Sequence, residues 1–311
     1  MFSSWWERWL EGQAVRPNTM RRWRSVYKAH LGEHFGALYL KDITEQEVRV
    51  FRRKLLEVKG LREQTVNIAV KTLCQSLRRA IKEGLITSDP CEDIRPLKSR
   101  KTEISPFTFQ ELTHLIETAR VKAPEFTDML ILWSRTGLRT GEIFGLKWED
   151  VDYFSGLLHI RRTMHVAGRE GDPKTEGSER SLPLRKPSIE ALRRQEARTA
   201  LRRSYVFLNQ KGEAIRATTW REKWIYLLRL AGLSYRSPKQ MRHTFATLHL
   251  AAGESVSWVS RMLGHSSAKV TFDFYNCYVP NLTRDDGSAF DRLMDGQNGN
   301  NLVTMADNLL K

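Results

Sequence analysis

Apolar residues recur at helical spacing throughout the first hundred residues of the chain. The longest such pattern predicts an amphipathic helix that ends near Gly84, with an apolar face formed by Val66, Val70, Leu73, Leu77 and Ala80. Thr44-Glu-Gln-Glu47 has the composition of a capping box at the start of another helix, and Pro17 begins a third. We therefore predict a small helical bundle, with Trp5, Trp6 and Trp9 in its core rather than in a base-stacking platform.

The helical pattern breaks at Ser88-Asp-Pro90, and the basic stretch from Pro96 to Lys101 has no periodicity. We interpret this region as the end of one domain and a linker. The predicted organisation is a helical domain at 1–98, a linker at 99–105, a second domain at 106–285 and a C-terminal tail at 286–311.

The second domain combines helical patterns with a few short runs of strand character. Thr108-Phe-Gln-Glu111 is a capping box, and the helical pattern continues to Gly137. Strands are predicted at 157–160 and 181–184, with 205–208 as a possible third, and the pattern from Thr218 to Tyr278 is again helical. The predicted fold class is mainly α with a small β-sheet, made of a helical N-terminal domain and an α+β second domain.

Composition adds a strong positive charge to this picture. The 311 residues carry a formal net charge of +15, and 41% are hydrophobic, which is enough for a sizeable core and argues against disorder. Residues 1–100 contain 20 basic and 12 acidic side chains, and residues 101–280 contain 28 and 19. A basic excess on both domains favours a polyanion such as DNA as the partner, although a soluble protein with a high pI has the same composition.

Other function classes are disfavoured by what the sequence lacks. No apolar run approaches the roughly 20 residues that span a bilayer, and the first ten residues have charges where a signal peptide needs an apolar core. The three cysteines, Cys74, Cys91 and Cys277, are too few and too scattered for a disulfide framework or a zinc site. We interpret the chain as a reduced, cytoplasmic protein that does not bind membranes.

Four short strings of residues could carry chemistry, and each is weak evidence by itself. They are Thr136-Gly-Leu-Arg139-Thr-Gly-Glu142, Lys239-Gln-Met-Arg242-His243, Leu263-Gly-His265 and Thr271-Phe-Asp-Phe-Tyr275-Asn-Cys-Tyr278. An arginine that is partly buried can bind two phosphate oxygens at once, and Glu142 is placed to orient Arg139 from the next turn. We interpret His243 as a support for its helix rather than as a substrate contact.

In this order and spacing, the four strings resemble the tyrosine recombinases of the phage integrase family over residues 3 to 280. The resemblance implies a phosphate-binding pair, Arg139 and Arg242, and a β-hairpin lysine, Lys174, within Pro173-Lys-Thr175. It also implies that Lys239 and His265 donate to phosphate oxygens and that Tyr275 is the nucleophile, ahead of Tyr278. The chain departs from the commonest pattern at Lys239, where histidine is usual, and in the ten-residue interval from His265 to Tyr275.

The implied function is a site-specific DNA recombinase that works through a covalent 3′-phosphotyrosine, without metal, cofactor or ATP. The implied fold is a core-binding, SAM-like N-terminal domain and a catalytic domain, which together clamp double-stranded DNA at core-type attachment sites. Four protomers would form the synaptic complex, with accessory DNA-bending proteins as possible partners. The alternatives are a type IB topoisomerase-like enzyme that relaxes DNA, and a DNA-binding regulator that has the fold without the activity.

The tail from Asn281 to Lys311 changes from basic to slightly acidic. A polar, glycine-containing stretch at 295–301 precedes apolar residues at roughly helical spacing between Leu302 and Leu310. So short a segment cannot bury these residues alone, so we expect it to dock on a neighbouring protomer during synapsis. Docking on its own protomer, or disorder, is the alternative.

Overall fold

The computed structural model describes residues 1–99, 104–165, 168–171, 179–201 and 204–278. Contacts divide the chain into two compact units, Met1–Glu103 and Ile104–Lys311. Lys174 and the predicted tail at 286–311 lie outside the described residues. Within the described residues, no helix has the combination of length and hydropathy that crossing a membrane would require.

The first unit is helical, as its sequence pattern predicts. Its α-helices are α1 (Phe2–Glu11), α2 (Pro17–Val26), α3 (Gly32–Phe35), α4 (Glu45–Arg53) and α5 (Glu63–Lys82), with π-helical turns at Tyr27–Leu31 and Lys54–Val58. Trp5, Trp6 and Trp9 are at most 4% exposed, and the Trp9 ring lies 4.6 Å from that of Trp23. The prediction that these tryptophans form a core is confirmed.

Half of the predicted capping box of α4 forms. The Thr44 hydroxyl accepts from the Glu47 backbone N–H at 3.3 Å, whereas the Glu47 carboxylate lies 3.4 Å from Nε2 of His34. Helix α5 ends at Lys82, and Gly84 follows with a φ of 71°. This left-handed glycine is the helix end that the sequence predicts.

The structure corrects the expectation that the protein is reduced, because two of the cysteines form a disulfide. Cys74, on the buried side of α5, is bonded to Cys91, and their Cα atoms are 5.7 Å apart. The turn around Pro90 brings Cys91 back against the helix, where both side chains are buried. Sequence spacing alone did not reveal this return of the chain.

In its described residues, the second unit is a helical domain with two small antiparallel sheets. Its helices are α6 (Phe109–Lys122), α7 (Thr127–Thr136), α8 (Thr140–Phe144), α9 (Lys186–Thr199), α10 (Ala217–Leu230), α11 (Gln240–Ala251), α12 (Val256–Leu263) and α13 (Ala268–Tyr275). The capping box of α6 is complete, with Thr108 and Glu111 bonded in both directions. The predicted fold class, mainly α with a small sheet, is confirmed.

The first sheet has the order β1 (Val151–Asp152), β2 (Leu157–Ile160) and β5 (Arg180–Pro183). Leu158 pairs with Leu182, and both side chains point into the core. The second sheet is a ribbon of β3 (Thr163–Met164) and β4 (Glu170–Gly171). The two-residue strands are too short to produce an alternating pattern, so the sequence does not predict them.

The prediction of a possible third strand at 205–208 is wrong. This segment makes only isolated bridges, from Tyr205 to Lys147 and from Leu208 to Ala214. Val206 and Phe207 are consecutive and both buried. Their apolar character therefore reflects a buried connecting segment rather than a strand.

Candidate active site

A glycine turn between α7 and α8 positions Arg139. Gly137 has a φ of 61°, and a Cβ on this residue would lie 2.6 Å from the ring of Phe245. Both the backbone and the packing therefore require glycine here. The Trp133 indole N–H donates to the Leu138 carbonyl at 2.6 Å, which fixes the turn. Arg139 follows as the N-cap residue of α8.

A buried carboxylate, that of Glu142, joins two arginines. It accepts from the Arg139 backbone N–H at 2.9 Å and from Arg139 Nη1 at 2.6 Å. Arg180, on β5, donates from Nη1 at 3.3 Å and from Nη2 at 3.0 Å. Burial alone would raise the pKa of Glu142, but the charges and hydrogen bonds of Arg180 and Arg139 outweigh it and lower the pKa. Glu142 is thus an ionised anchor that orients both guanidinium groups.

The same arginines, together with Arg242, bind the C-terminal end of α12. Arg180 Nε donates to the Met262 carbonyl at 2.8 Å. Arg242 Nη2 donates to the Leu263 carbonyl at 2.6 Å, and Arg139 Nη2 lies 3.4 Å from the Gly264 carbonyl. A helix C-terminus leaves its last carbonyls without partners and carries partial negative charge. It therefore brings three cationic side chains together.

The Arg242 guanidinium is largely buried and has a second backbone partner. Its Nη1 donates to the Gly137 carbonyl at 3.0 Å, so it also braces the turn before Arg139. Burial, followed by the nearby charge of Arg139, lowers the pKa of Arg242 to about 9. Three guanidiniums around one carboxylate leave an excess of positive charge, and the geometry is that of an anion site.

His265 lies beside these arginines. Gly264 ends α12 with a φ of 63°, which turns the chain so that His265 can bond Thr271 of α13 through Nδ1 at 2.7 Å. Burial, and then the charges of Arg242 and Arg139, lower the pKa of His265 to about 4. The imidazole is therefore neutral at physiological pH.

Tyr275, the last residue of α13, is 2% exposed and belongs to the core of the second unit. Its hydroxyl lies 2.6 Å from Nδ1 of His243. Burial raises the pKa of Tyr275 to about 12, although the charge of Arg242 opposes the shift. The structure thus brings a tyrosine hydroxyl within the electrostatic range of the arginine group.

Five of the six residues singled out in the sequence are described, and the structure brings them to one region of the second unit. Lys239 is exposed at the N-cap of α11, and its charge acts on His243. Lys174, the sixth, lies outside the described residues.

Sequence reasoning missed Arg180 and the partner of His243. Arg180 begins a strand, and nothing in Arg180-Ser-Leu-Pro indicates that its side chain reaches a carboxylate 38 residues earlier. The sequence predicts a supporting role for His243 in its helix but does not indicate the contact with the Tyr275 hydroxyl. Its position directly after Arg242 was the available signal, since consecutive helical residues can face the same cleft from adjacent directions.

Comparison with known sequences shows the family of this chain. The family model described as "Phage integrase family" matches residues 105–278. The chain belongs to the phage integrase family. A second family model, "Phage integrase, N-terminal SAM-like domain", matches residues 1–56.

Curated members of the family are similar along most of the chain. Prophage integrase IntR of Escherichia coli strain K12 is 26% identical over 248 residues, which is 72% of this chain and 60% of IntR. The chain thus spans about 60% of the length of that relative. The ICEBs1 integrase of Bacillus subtilis strain 168 is 26% identical over 297 residues, or 90% of this chain and 79% of that protein.

Solved structures of integrases share the fold. The Tn1549 transposon integrase, in complex with a circular intermediate DNA, has a TM-score of 0.77 and 20% identity, covering 94% of this chain and 98% of that one. A lambda integrase dimer bound to a COC′ core site has a TM-score of 0.72 and 20% identity, covering 91% and 96%.

Proposed function

We propose that the protein is a site-specific DNA recombinase that cleaves and rejoins strands through a covalent 3′-phosphotyrosine. One observation carries the proposal: a buried tyrosine hydroxyl, Tyr275, lies in the field of Arg242, which belongs to the group of three arginines bound to the end of α12. A phosphodiester is the substrate that such a site fits, because its two non-bridging oxygens accept from guanidinium groups and its phosphorus accepts a phenolic nucleophile.

The arginines supply the electrostatic part of the reaction. In the proposal, Arg139 and Arg242 bind the non-bridging oxygens and stabilise the charge that develops as the nucleophile approaches. Arg180 holds Glu142 and so keeps Arg139 in place. Because these cations are aligned before substrate binds, little reorganisation is needed during the reaction.

The chemical step exchanges one phosphoester bond for another. The bond from Tyr275 Oη to phosphorus forms, and the bond from phosphorus to the 5′ oxygen breaks. The departing oxygen takes a proton, for which Lys174 is the donor in this proposal. Lys239 and His265 contribute hydrogen bonds to the phosphate oxygens. The bond energy is retained in the phosphotyrosine, so a free 5′ hydroxyl reverses the step without ATP.

The proposed partner is double-stranded DNA at core-type sites, with four protomers in the synaptic complex. The net charge of +15 supports a polyanionic partner. Solved integrases support both parts of the proposal: lambda integrase has been captured as a dimer on a core site and as a tetramer on a Holliday junction. In this arrangement residues 1–98 form a core-binding domain, 106–285 the catalytic domain and 99–105 the linker.

A nicked suicide substrate tests the proposal. Cleavage near the nick releases a short strand that diffuses away, so the protein remains covalently attached to DNA. We expect the unmodified protein and Tyr278→Phe to form the adduct and Tyr275→Phe to bind DNA without forming it. An active Tyr275→Phe with an inactive Tyr278→Phe would move the nucleophile to Tyr278.

The adduct assay, together with assays of supercoil relaxation and of strand exchange, separates the alternatives. A DNA-binding regulator gives no adduct with any variant, and that result would overturn the proposed activity. A topoisomerase-like enzyme gives the adduct and relaxes supercoiled DNA of any sequence, but it fails to exchange strands between two sites.

A further inference from the structure

The hydrogen bond between His243 and Tyr275 connects two helices at the reacting atom. His243 lies in α11 directly after Arg242, and Tyr275 ends α13. Nδ1 of His243 and Oη of Tyr275 are 2.6 Å apart, a short distance for such a pair. Among the described residues, this is the hydrogen bond that the Tyr275 hydroxyl makes.

The surroundings keep His243 neutral and therefore able to accept a proton. Burial, and then the charges of Arg242 and Lys239, lower the pKa of His243. His265 faces it from the turn after α12 and is also neutral, and Tyr275 faces it from α13 as the un-ionised phenol. With the ring proton of the imidazole on Nε2, Tyr275 donates and Nδ1 accepts.

The other polar groups at the site are poor proton acceptors. Arg242 and Lys239 are cations without a free lone pair, and His265 is a weak base because burial and the neighbouring arginines lower its pKa to about 4. Lys239 occupies the position where histidine is usual in the resembling recombinases, so this chain has no imidazole there.

We propose that His243 is a catalytic residue that takes the proton of Tyr275 during DNA cleavage. The proton moves from Oη to Nδ1 while the bond from Oη to phosphorus forms and the bond from phosphorus to the 5′ oxygen breaks. The resulting imidazolium faces the anionic phosphate, and it returns the proton to Oη when a 5′ hydroxyl attacks the phosphotyrosine. This proposal rests on the proposed function.

His243→Gln tests the proton transfer separately from positioning. Glutamine can still accept a hydrogen bond from Tyr275, but it cannot take a proton at neutral pH. We expect single-turnover cleavage of the suicide substrate to fall by about 10²-fold or more, which is the usual contribution of general base catalysis. DNA affinity and the thermal midpoint should change little.

His249→Gln is the matched control. His249 is a second half-buried histidine of α11, and its Nδ1 bonds the Phe245 carbonyl at 2.8 Å instead of the nucleophile. We expect this variant to cleave at the rate of the unmodified protein. A comparable loss in both variants would mean that glutamine damages the helix, and it would overturn the assignment of His243.

Two further measurements identify which proton His243 handles. The first is the dependence of the single-turnover cleavage rate on pH. For the unmodified protein this rate should reach a plateau above the pKa of His243. For His243→Gln it should rise about tenfold per pH unit, because hydroxide replaces the missing base. A substrate with sulfur in place of the bridging 5′ oxygen releases a thiolate that needs no proton, so it should rescue a defect in the proton donor. It should not rescue His243→Gln.

The outcomes distinguish this inference from the proposed function. If the unmodified protein forms no adduct, the proposed function itself fails. If it forms the adduct and His243→Gln cleaves with the same rate and pH profile, His243 is not the proton acceptor and the recombinase function stands. Rescue of His243→Gln by the sulfur substrate would place its role at the leaving group and overturn the inference.

Discussion

Replacing Glu142 with glutamine should destabilise the second unit strongly, because this carboxylate is the shared partner of two arginines. The Glu142 side chain is 2% exposed, that of Arg180 is 8% exposed and that of Arg139 is 34% exposed. Glu142→Gln leaves Arg180 buried without its anionic partner, which costs about 3–5 kcal/mol. Arg139 adds little, because a third of its side chain is exposed and water screens its charge.

Calorimetry on the full chain measures this cost. For a domain of this size, 1 kcal/mol corresponds to about 2–4 °C, so the midpoint of the second unit should fall by roughly 6–20 °C. Glu117→Gln is the control. Glu117 and Arg120 form an ion pair with the i,i+3 spacing that Arg139 and Glu142 also have, but both side chains of the control pair are more than half exposed. We expect the control to lie within about 0.5 kcal/mol of the unmodified protein.

The pH dependence and a double-mutant cycle sharpen the test. The pKa of Glu142 is lowered on folding, so its stabilisation is present above the usual glutamate pKa and is lost as the pH falls through the lower folded value. The gap between the unmodified protein and Glu142→Gln should therefore narrow as the pH falls below the usual glutamate pKa. Combining Glu142→Gln with Arg180→Met should recover part of the loss. A midpoint within about 2 °C of the unmodified protein would refute the reasoning.

Three other predictions follow from the site, the glycine turn and the tail. Arg242→Ala should lower cleavage by about 10²–10³-fold in the presence of EDTA, with much less effect on DNA affinity; an equal loss of binding, or a strict need for added metal, would contradict the proposed mechanism. Gly137→Ala should cost more stability in thermal unfolding than Gly156→Ala, because both residues have a positive φ but only at Gly137 would a Cβ meet a neighbour, Phe245; equal losses would count against the packing argument. Truncation after Gly299 should leave single-site binding nearly unchanged and impair or deregulate recombination, which a strand-exchange assay measures; an unchanged rate and synaptic assembly would reject docking of the tail in trans.

The sequence predicts the parts of the molecule that local chemistry determines. The end of α5 at Gly84, the capping box of α6 and the paired strands β2 and β5 each depend on a few adjacent residues, and the structure has all of them. The tryptophan core of the first unit follows from helical spacing in the same way. The prediction that Arg139, Arg242, His265 and Tyr275 form one site depends on the resemblance to the phage integrase family, and spacing alone does not give it.

Features that depend on distant contacts could not be predicted. The bond between Arg180 and Glu142 joins residues 38 positions apart, and that between His243 and Tyr275 joins residues 32 apart. Cys74 and Cys91 meet because the chain turns back onto α5, which no local pattern indicates. The incorrect strand prediction at 205–208 has the same origin, since burial of consecutive residues such as Val206 and Phe207 selects apolar side chains without setting the backbone conformation.

The three arginines bound to the end of α12 have one support in common, in addition to the separate contacts that Glu142 and Gly137 provide. Met262, Leu263 and Gly264 are consecutive, so a displacement of this short helix moves the hydrogen-bond partners of Arg180, Arg242 and Arg139 together. Shifts of about 1–2 Å are common for helices at subunit interfaces. A displacement of α12 would therefore change the alignment of all three cations together, so their contributions to cleavage would be lost as a group.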